Sequence, residues 1–205
     1  MPFWNKLWNT GVDETGTPLA VPTPTTKYIV DPHWKLVKGP GIINPQPVYV
    51  LAHQTVGGYF ATADSRWVWA NPTGMGDPSS AYVFQTEFLL ETNLTHWIEI
   101  TGKWGADNFG QFTINWAPLP PGASSGAVSL PAGPLPPNYT QAHTFSISQT
   151  HLVSLVPGLP PLLVGMPLSS GYHTLEVWVY NAGPEDATNP AGLNVSALSI
   201  AKHPR

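Results

Sequence analysis

Tryptophan is the residue type with the clearest capacity for ligand binding in this chain, because an exposed indole ring stacks against the apolar face of a sugar. The chain has nine tryptophans in 205 residues. Trp67 and Trp69 are two positions apart and would lie on one face of a strand, while Trp178 belongs to a separate alternating segment. That spacing suits a stacking platform and a packed interior face equally well. Trp67, Trp69 and Trp178 are therefore candidate ligand-binding residues, and both interpretations stay open.

A carboxylate beside an amide forms the second candidate site. Asp107 and Asn108 follow Trp104-Gly-Ala, where a strand is expected to end in a turn. Their oxygens could contact a ligand or Ca²⁺, which prefers hard oxygen donors. The same side chains often stabilise a turn by bonding to nearby backbone amides. Calcium sites usually gather several carboxylates and this segment has one, so the structural interpretation is favoured and no metal site is predicted.

Two polar segments near the start of the chain could meet in a pocket at one end of the domain. They are Asn9-Thr-Gly-Val-Asp13 and Asp31-Pro-His-Trp34. Asp-Pro is also a common turn opener, because proline presets its own backbone dihedral. A structural role is favoured for both segments, with Trp34 in or beside the core.

The sequence has few residue patterns that are typical of a catalytic site. The chain has no cysteine, and its seven histidines lack the short spacing of a histidine metal site. No Gly-x-Ser-x-Gly nucleophile elbow occurs. A pair among Glu87, Glu91, Glu99 and Glu176 could hydrolyse glycosides, but acids are scarce on the expected loops. We predict a non-enzymatic protein without a cofactor, and a hydrolase is the weakest alternative.

The composition of the chain excludes several classes of binding partner. Eight Lys and Arg stand against twelve Asp and Glu, a net charge of −4. Without a basic cluster, nucleic acid and anionic membranes are not expected as partners. The most apolar stretch, 152–168, is broken by four prolines and is not a membrane span. The N-terminal residues lack a continuous apolar run, so no signal peptide is expected.

Alternating hydrophobic segments predict an all-β fold. The 24 prolines and 19 glycines leave no long helical segment, and short alternating runs bounded by turn residues recur. In 82–90 one face carries Tyr82, Phe84, Thr86 and Phe88, with Glu87 opposite. The segment 174–181 would instead have an aromatic outer face that needs a second layer or a partner. We predict one domain over residues 1–205, a β-sandwich of two antiparallel sheets.

Two uncharged proline-rich loops interrupt this pattern, at about 117–141 and 155–170. Loops of such length are usually functional or disordered, and apolar ones are expected to be covered. We predict that they contact partner subunits. The predicted contact residues are Pro118, Leu119, Pro120, Leu130, Leu135, Leu159, Leu162, Leu163 and Met166.

An ordered set of motifs resembles the galactose-binding-like β-sandwich (jelly-roll) domains of bacterial secreted and phage structural proteins. The motifs are Asn9-Thr-Gly-Val-Asp13, Asp31-Pro-His-Trp34, Ser65-Arg-Trp-Val68, Tyr82-Val-Phe-Gln-Thr-Glu-Phe88, Gly102-Lys-Trp-Gly-Ala-Asp-Asn108, Asn115, Gly171-Tyr-His-Thr-Leu-Glu-Val-Trp-Val-Tyr-Asn181 and Asn189-Pro-Ala-Gly-Leu193. The likeness runs from near residue 7 to near residue 200. Two departures are Asn115-Trp116, where the family usually has Asn-Gly, and an expanded 117–141. The resemblance implies a jelly-roll fold and a non-catalytic role.

Two functions account for these features. The first is a structural protein of a virus particle, a phage capsid decoration (cement) protein that binds neighbouring shell subunits and is made in the host cytoplasm. Its partners would be a capsid or other virion protein and further copies of itself. The alternative is an extracellular carbohydrate-binding module or adhesin that recognises glycans through exposed tryptophans.

Overall fold

Runs of β-branched and aromatic residues form the regular elements of this protein. The structure is a computed structural model, and it describes residues 6–26, 28–52, 58–77, 79–90, 96–107, 109–114, 128–129, 139–148, 171–181 and 191–204. Its strands are β1 (Val30–Lys38), β2 (Gln46–Val50), β3 (Val68–Trp69), β4 (Ser80–Leu90), β5 (His96–Asp107), β6 (Phe109–Ile114), β7 (Val128–Ser129), β8 (His143–Ser148), β9 (Gly171–Asn181) and β10 (Gly192–Pro204). Within these ranges there is no α-helix, and the all-β prediction is confirmed.

The described strands join into one hydrogen-bonded sheet in the order β7-β6-β9-β4-β1-β2-β3-β10-β5-β8. Every pairing is antiparallel. The two separate sheets that the sequence predicted are not confirmed, because β2 and β3 connect the two halves through the pairs Tyr49–Trp69 and Val50–Val68.

This single sheet folds back on itself. Strand β5 ends at Asp107 and β6 begins at Phe109, with one residue between them. Two residue steps span at most about 7 Å. Yet β5 lies near one end of the strand order and β6 near the other. The short distance from Asp107 to Phe109 therefore brings the two ends of the sheet together, and the sheet closes into two facing halves.

The core fills the space between these halves. Phe84 of β4 and Val177 of β9 belong to the same buried cluster as Trp104 of β5 and Val195 of β10. The predicted inner faces are confirmed: Tyr82, Phe84, Thr86 and Phe88 are buried in β4, as are Leu175, Val177 and Val179 in β9. On the opposite face of β9, Trp178 is half-buried and Tyr180 is exposed.

Close packing at β5 gives a first prediction. A methyl group on Gly102 would lie 2.7 and 2.8 Å from ring atoms of its cross-strand neighbour Phe145 and 3.1 Å from Leu198. Because overpacking costs about 1–3 kcal/mol, Gly102→Ala should lower the free energy of unfolding by that amount in urea titrations. Combining it with Phe145→Leu should give less loss than the sum of the single changes. Strictly additive losses would show that the clash does not occur.

Candidate functional site

A cleft of about 610 Å³ opens beside the turn that joins β1 to β2. Small-ligand sites usually have volumes of about 300–1,000 Å³. We call it the Tyr49 cleft. The described residues that line it are Leu36, Pro40, Gly41, Ile42, Gln46, Pro47, Tyr49, Ala70, Asn71, Thr73, Met75, Asp77 and Tyr82. They come from the end of β1, the β1–β2 turn, β2, the loop between β3 and β4, and the beginning of β4.

The first wall is a tight turn that the local sequence dictates. The backbone N–H of Ile42 donates to the carbonyl oxygen of Gly39 at 3.1 Å. Gly41 has φ of 69°, which suits the third position of a type II turn, and Pro40 presets the second position. A Cβ on Gly41 would meet nothing within 4 Å. Glycine is therefore favoured there by backbone conformation rather than by space.

The second wall is the loop 70–77, which Asn71 holds in shape. Its Nδ2 donates to the carbonyl oxygen of Met75 at 2.6 Å, and its Oδ1 accepts from the Thr73 hydroxyl at 2.7 Å. The buried Trp69 indole also donates to the Met75 carbonyl oxygen, at 2.9 Å. Because side chains fix this loop internally, the wall is formed before any ligand arrives.

Asp77 supplies the carboxylate of the cleft, and Tyr82 orients it. The Tyr82 hydroxyl donates to Asp77 Oδ2 at 3.2 Å and accepts from the Asp77 backbone N–H at 2.8 Å. Tyr82 is 5% exposed and packs against Trp69 with ring centroids 4.7 Å apart. None of the described residues that line the cleft is lysine or arginine. The cleft therefore suits an uncharged ligand rich in hydroxyl groups better than an anion.

The tryptophans predicted to form a platform are in the core. Trp67 is 1% exposed and Trp69 is fully buried. Their indole nitrogens donate to the carbonyl oxygens of Phe60 and Met75, each at 2.9 Å. A sugar cannot reach either ring face, so the stacking role predicted for these two residues is wrong and the packed alternative is right. Spacing alone could not separate the alternatives, because burial depends on the distant segments that cover each ring.

Trp178 remains a candidate on the outer face of β9. Its side chain is half-buried, and the Lys38 ammonium lies 5.1 Å from the ring centroid. A cation at this distance interacts favourably with the indole, and it occupies part of the ring face that a sugar would need.

Asp107 is a buried carboxyl rather than an open ligand contact. It is 3% exposed, and its Oδ2 accepts from the Tyr59 hydroxyl at 2.9 Å. Its buried Oδ1 has no hydrogen-bond partner among the described residues. Burial raises the pKa of Asp107 to about 6, although the Tyr59 bond opposes this rise. Asn108 lies outside the described residues, and no group of three metal-binding side chains occurs within them.

The two N-terminal polar segments do meet, and Pro32 and His33 of the second segment line a small cavity of about 90 Å³. Asp31 is 2% exposed and accepts backbone N–H bonds from Gly11, His33 and Trp34. His33 Nε2 contacts the carbonyl oxygen of Asp13 at 3.0 Å and therefore donates the proton. Burial raises the pKa of Asp31 to about 6 against the opposing effect of its three donors. The favoured structural role is confirmed.

The glutamates considered for hydrolysis are engaged in separate contacts. Glu87 pairs with Lys35 at 3.5 Å, and Glu99 contacts His203 at 3.1 Å. Glu176 is 5% exposed and accepts from Gln85 at 2.8 Å. Glu87 lines a small cavity of about 90 Å³ in which Glu176 takes no part. Glu91 lies outside the described residues, and Glu87, Glu99 and Glu176 each contact a different side chain.

The predicted partner-contact loops lie largely outside the described residues. Both are outside the described residues apart from short pieces at 128–129 and 139–141. This applies to all the named contact residues: Pro118, Leu119, Pro120, Leu130, Leu135, Leu159, Leu162, Leu163 and Met166. Their role stays a prediction.

In the described part of the chain, no helix has the length and apolar character of a membrane span.

Comparison with known proteins gives distant structural similarities. No protein-family model and no curated protein matches the chain. The chain is similar to the structure of TmCBM61 in complex with β-1,4-galactotriose, with 8% identity, a TM-score of 0.43 and coverage of 94% of this chain and 95% of that one. It is also similar to a family 35 carbohydrate-binding module from an environmental isolate, with 12% identity, a TM-score of 0.31 and coverage of 73% and 82%. Since both TM-scores are below 0.5, the chain's own geometry has to carry any functional assignment.

Proposed function

We propose that this chain is a non-catalytic domain that binds carbohydrate in the Tyr49 cleft. The observation that carries the proposal is the lining of the cleft, which combines the half-buried aromatic ring of Tyr49 with the polar residues Asn71 and Asp77. Sugar recognition needs both kinds of group: a ring that covers the C–H face of the pyranose, and donors and acceptors for its hydroxyls.

The rigidity of the cleft favours binding. Asn71 fixes the 70–77 loop, and Tyr82 holds the Asp77 carboxylate. Because these groups are already oriented, little side-chain freedom is lost when a ligand binds. The separate engagements of Glu87, Glu99 and Glu176 also support a binding role over hydrolysis.

The proposal is tested by glycan-array screening followed by calorimetric titration of the best ligand. Tyr49→Ala should weaken binding about tenfold, since an aromatic contact contributes about 1 kcal/mol beyond the area it buries. Asp77→Asn keeps an acceptor for Tyr82 but removes the charge, and should weaken binding about fivefold.

Tyr172→Ala is the matched control for Tyr49→Ala. Tyr172 is 54% exposed and pairs with Leu89, seven positions along β4 from Tyr82, or about 24 Å. It should bind like the wild type. Absence of any glycan ligand, or equal effects of the two tyrosine changes, would contradict the proposal.

A second candidate function is assembly, as in the predicted virus-particle protein. The observation in its favour is exposed apolar surface on the β1–β2 hairpin, where Ile43 is 92% exposed and Val30 is 47% exposed. Such side chains are candidates for contact with another protein. If assembly is the function, the protein should form a defined oligomer in light scattering that Ile43→Asp dissociates and Tyr49→Ala leaves intact. A monomer at high concentration would argue against it.

A further inference from the structure

We infer that Tyr28 forms an outer subsite next to the Tyr49 cleft, so that the ligand is an oligosaccharide rather than a single sugar. This inference rests on the proposed function. The Tyr28 side chain is 64% exposed, more than any other aromatic residue that the structure describes. It lies next to Tyr49, which lines the cleft.

The position of Tyr28 follows from strand pairing. Val30 pairs with Tyr49 across β1 and β2, and the Val50 N–H donates to the carbonyl oxygen of Ile29 at 2.8 Å. Tyr28 is therefore two positions before the residue opposite Tyr49, which makes the two tyrosines diagonal neighbours on one face. The backbone that carries Tyr28 is held against β2, so the ring has a defined place.

The two rings form a short row that leads out of the cleft. Their centroids are 6.2 Å apart with an interplanar angle of 68°. This separation is comparable to the length of one pyranose unit, so neighbouring units of one chain could contact the two rings in turn. Tyr49 is half-buried while Tyr28 is open to solvent. A ligand confined to the cleft would leave Tyr28 uncovered, because Tyr28 is not among the residues that line it.

Chemistry at the outer position favours a sugar chain over a charged ligand. Tyr28 and Val30 present ring and aliphatic surface there, and Val30 is 47% exposed. The Tyr28 hydroxyl adds one donor and acceptor at the rim. Such a surface binds the C–H face of a pyranose and accepts different hydroxyl patterns, so we expect the outer subsite to select for chain length more than for sugar identity.

The test measures affinity against ligand length. Calorimetric titrations use ladders of one to five β-1,4-linked units of galactose, glucose and xylose, with wild type, Tyr28→Ala and Tyr28→Phe. Wild-type affinity should rise with length and then level off. Tyr28→Ala should weaken binding of the longer ligands about five- to tenfold and leave the shortest bound ligand unchanged. Tyr28→Phe should retain the gain with length, because it keeps the ring.

The outcomes separate this inference from the proposed function. Two results would overturn the outer subsite and leave the cleft assignment standing. One is affinity that depends on Tyr49 but not on the length of the ligand. The other is a loss of affinity in Tyr28→Ala that is equal for ligands of every length. No binding of any ladder or array glycan by the wild type would overturn both. Since Tyr28 is exposed, its variants should keep the wild-type unfolding midpoint, and thermal unfolding checks that each is folded.

Discussion

Asp31→Ala should lower the free energy of unfolding at pH 7 by about 3 kcal/mol or more. The Asp31 carboxylate accepts from three backbone N–H groups, those of Gly11, His33 and Trp34. Alanine would leave these donors without a partner in a buried region, and each unsatisfied donor costs about 1–3 kcal/mol. Removal of a buried charge recovers part of this loss. Urea titration followed by tryptophan fluorescence measures the change.

Asp13→Ala is the control for Asp31→Ala. Asp13 also accepts backbone N–H bonds, from Thr15 and Thr17, but in an exposed turn. Water can replace those bonds, so the loss should stay below about 1 kcal/mol. Asp31→Asn should fall between the two, because the amide keeps one acceptor oxygen and places a donor against the backbone N–H groups. Equal stability of Asp31→Ala and Asp13→Ala would show that the N-terminal segment adds little to the fold.

Stability should fall as the pH rises from about 4 to above 6, and Asp107 should account for much of this fall. Its folded-state pKa is about 6 against an ordinary value of 3.8, so the folded protein binds the proton more tightly than the unfolded chain. The stabilising contribution is complete below about pH 4 and is lost as the pH passes through 6. A rise of this size corresponds to about 3 kcal/mol. Asp31, with a raised pKa of about 6, acts in the same window.

Asp107→Asn isolates this contribution. The amide keeps an acceptor for the Tyr59 hydroxyl but cannot ionise, so the variant should be more stable than the wild type at pH 7 and show a shallower dependence on pH. Tyr59→Phe should have a different effect. Loss of its hydrogen bond to the carboxylate raises the pKa of Asp107 further, so the free energy of unfolding should fall at a higher pH than in the wild type. Urea titrations at several pH values test this. Parallel pH profiles for the wild type and Asp107→Asn would contradict the assignment.

Local patterns in the sequence predicted correctly those features that depend only on neighbouring residues along one strand. The alternation in β4 and β9 gave the correct inner faces, because an antiparallel strand with one buried face imposes a period of two. The same reasoning could not separate the two interpretations of Trp67 and Trp69. Their burial depends on Tyr59 and Phe60, which pack against Trp67, and on Tyr82 and Phe84, which pack against Trp69.

The cleft was missed because its residues come from separated parts of the chain. Tyr49, Asn71 and Asp77 have no spacing that marks a site. Two segments of the cleft have sequences typical of turns, Gly39-Pro40-Gly41 and Asn71-Pro72-Thr73-Gly74. Such sequences predict where the chain changes direction, but they do not predict that the two turns lie side by side. Likewise, alternation predicts strands but not partners, so it could not show that β2 and β3 join the halves into one sheet.

The strand order has a consequence for how the protein is made. Strand β4 pairs with β9, where Ser80 lies opposite Asn181, and β5 pairs with β10, where His96 lies opposite Pro204. Paired positions are at least 81 residues apart along the chain (Leu90 and Gly171) and at most 108 (His96 and Pro204), which a ribosome takes roughly 4–22 s to add. During this time β4 and β5 have emerged with their apolar faces uncovered. The nascent chain should therefore depend on chaperones or on slow synthesis for its yield, and fragments that stop before β9 should aggregate rather than fold.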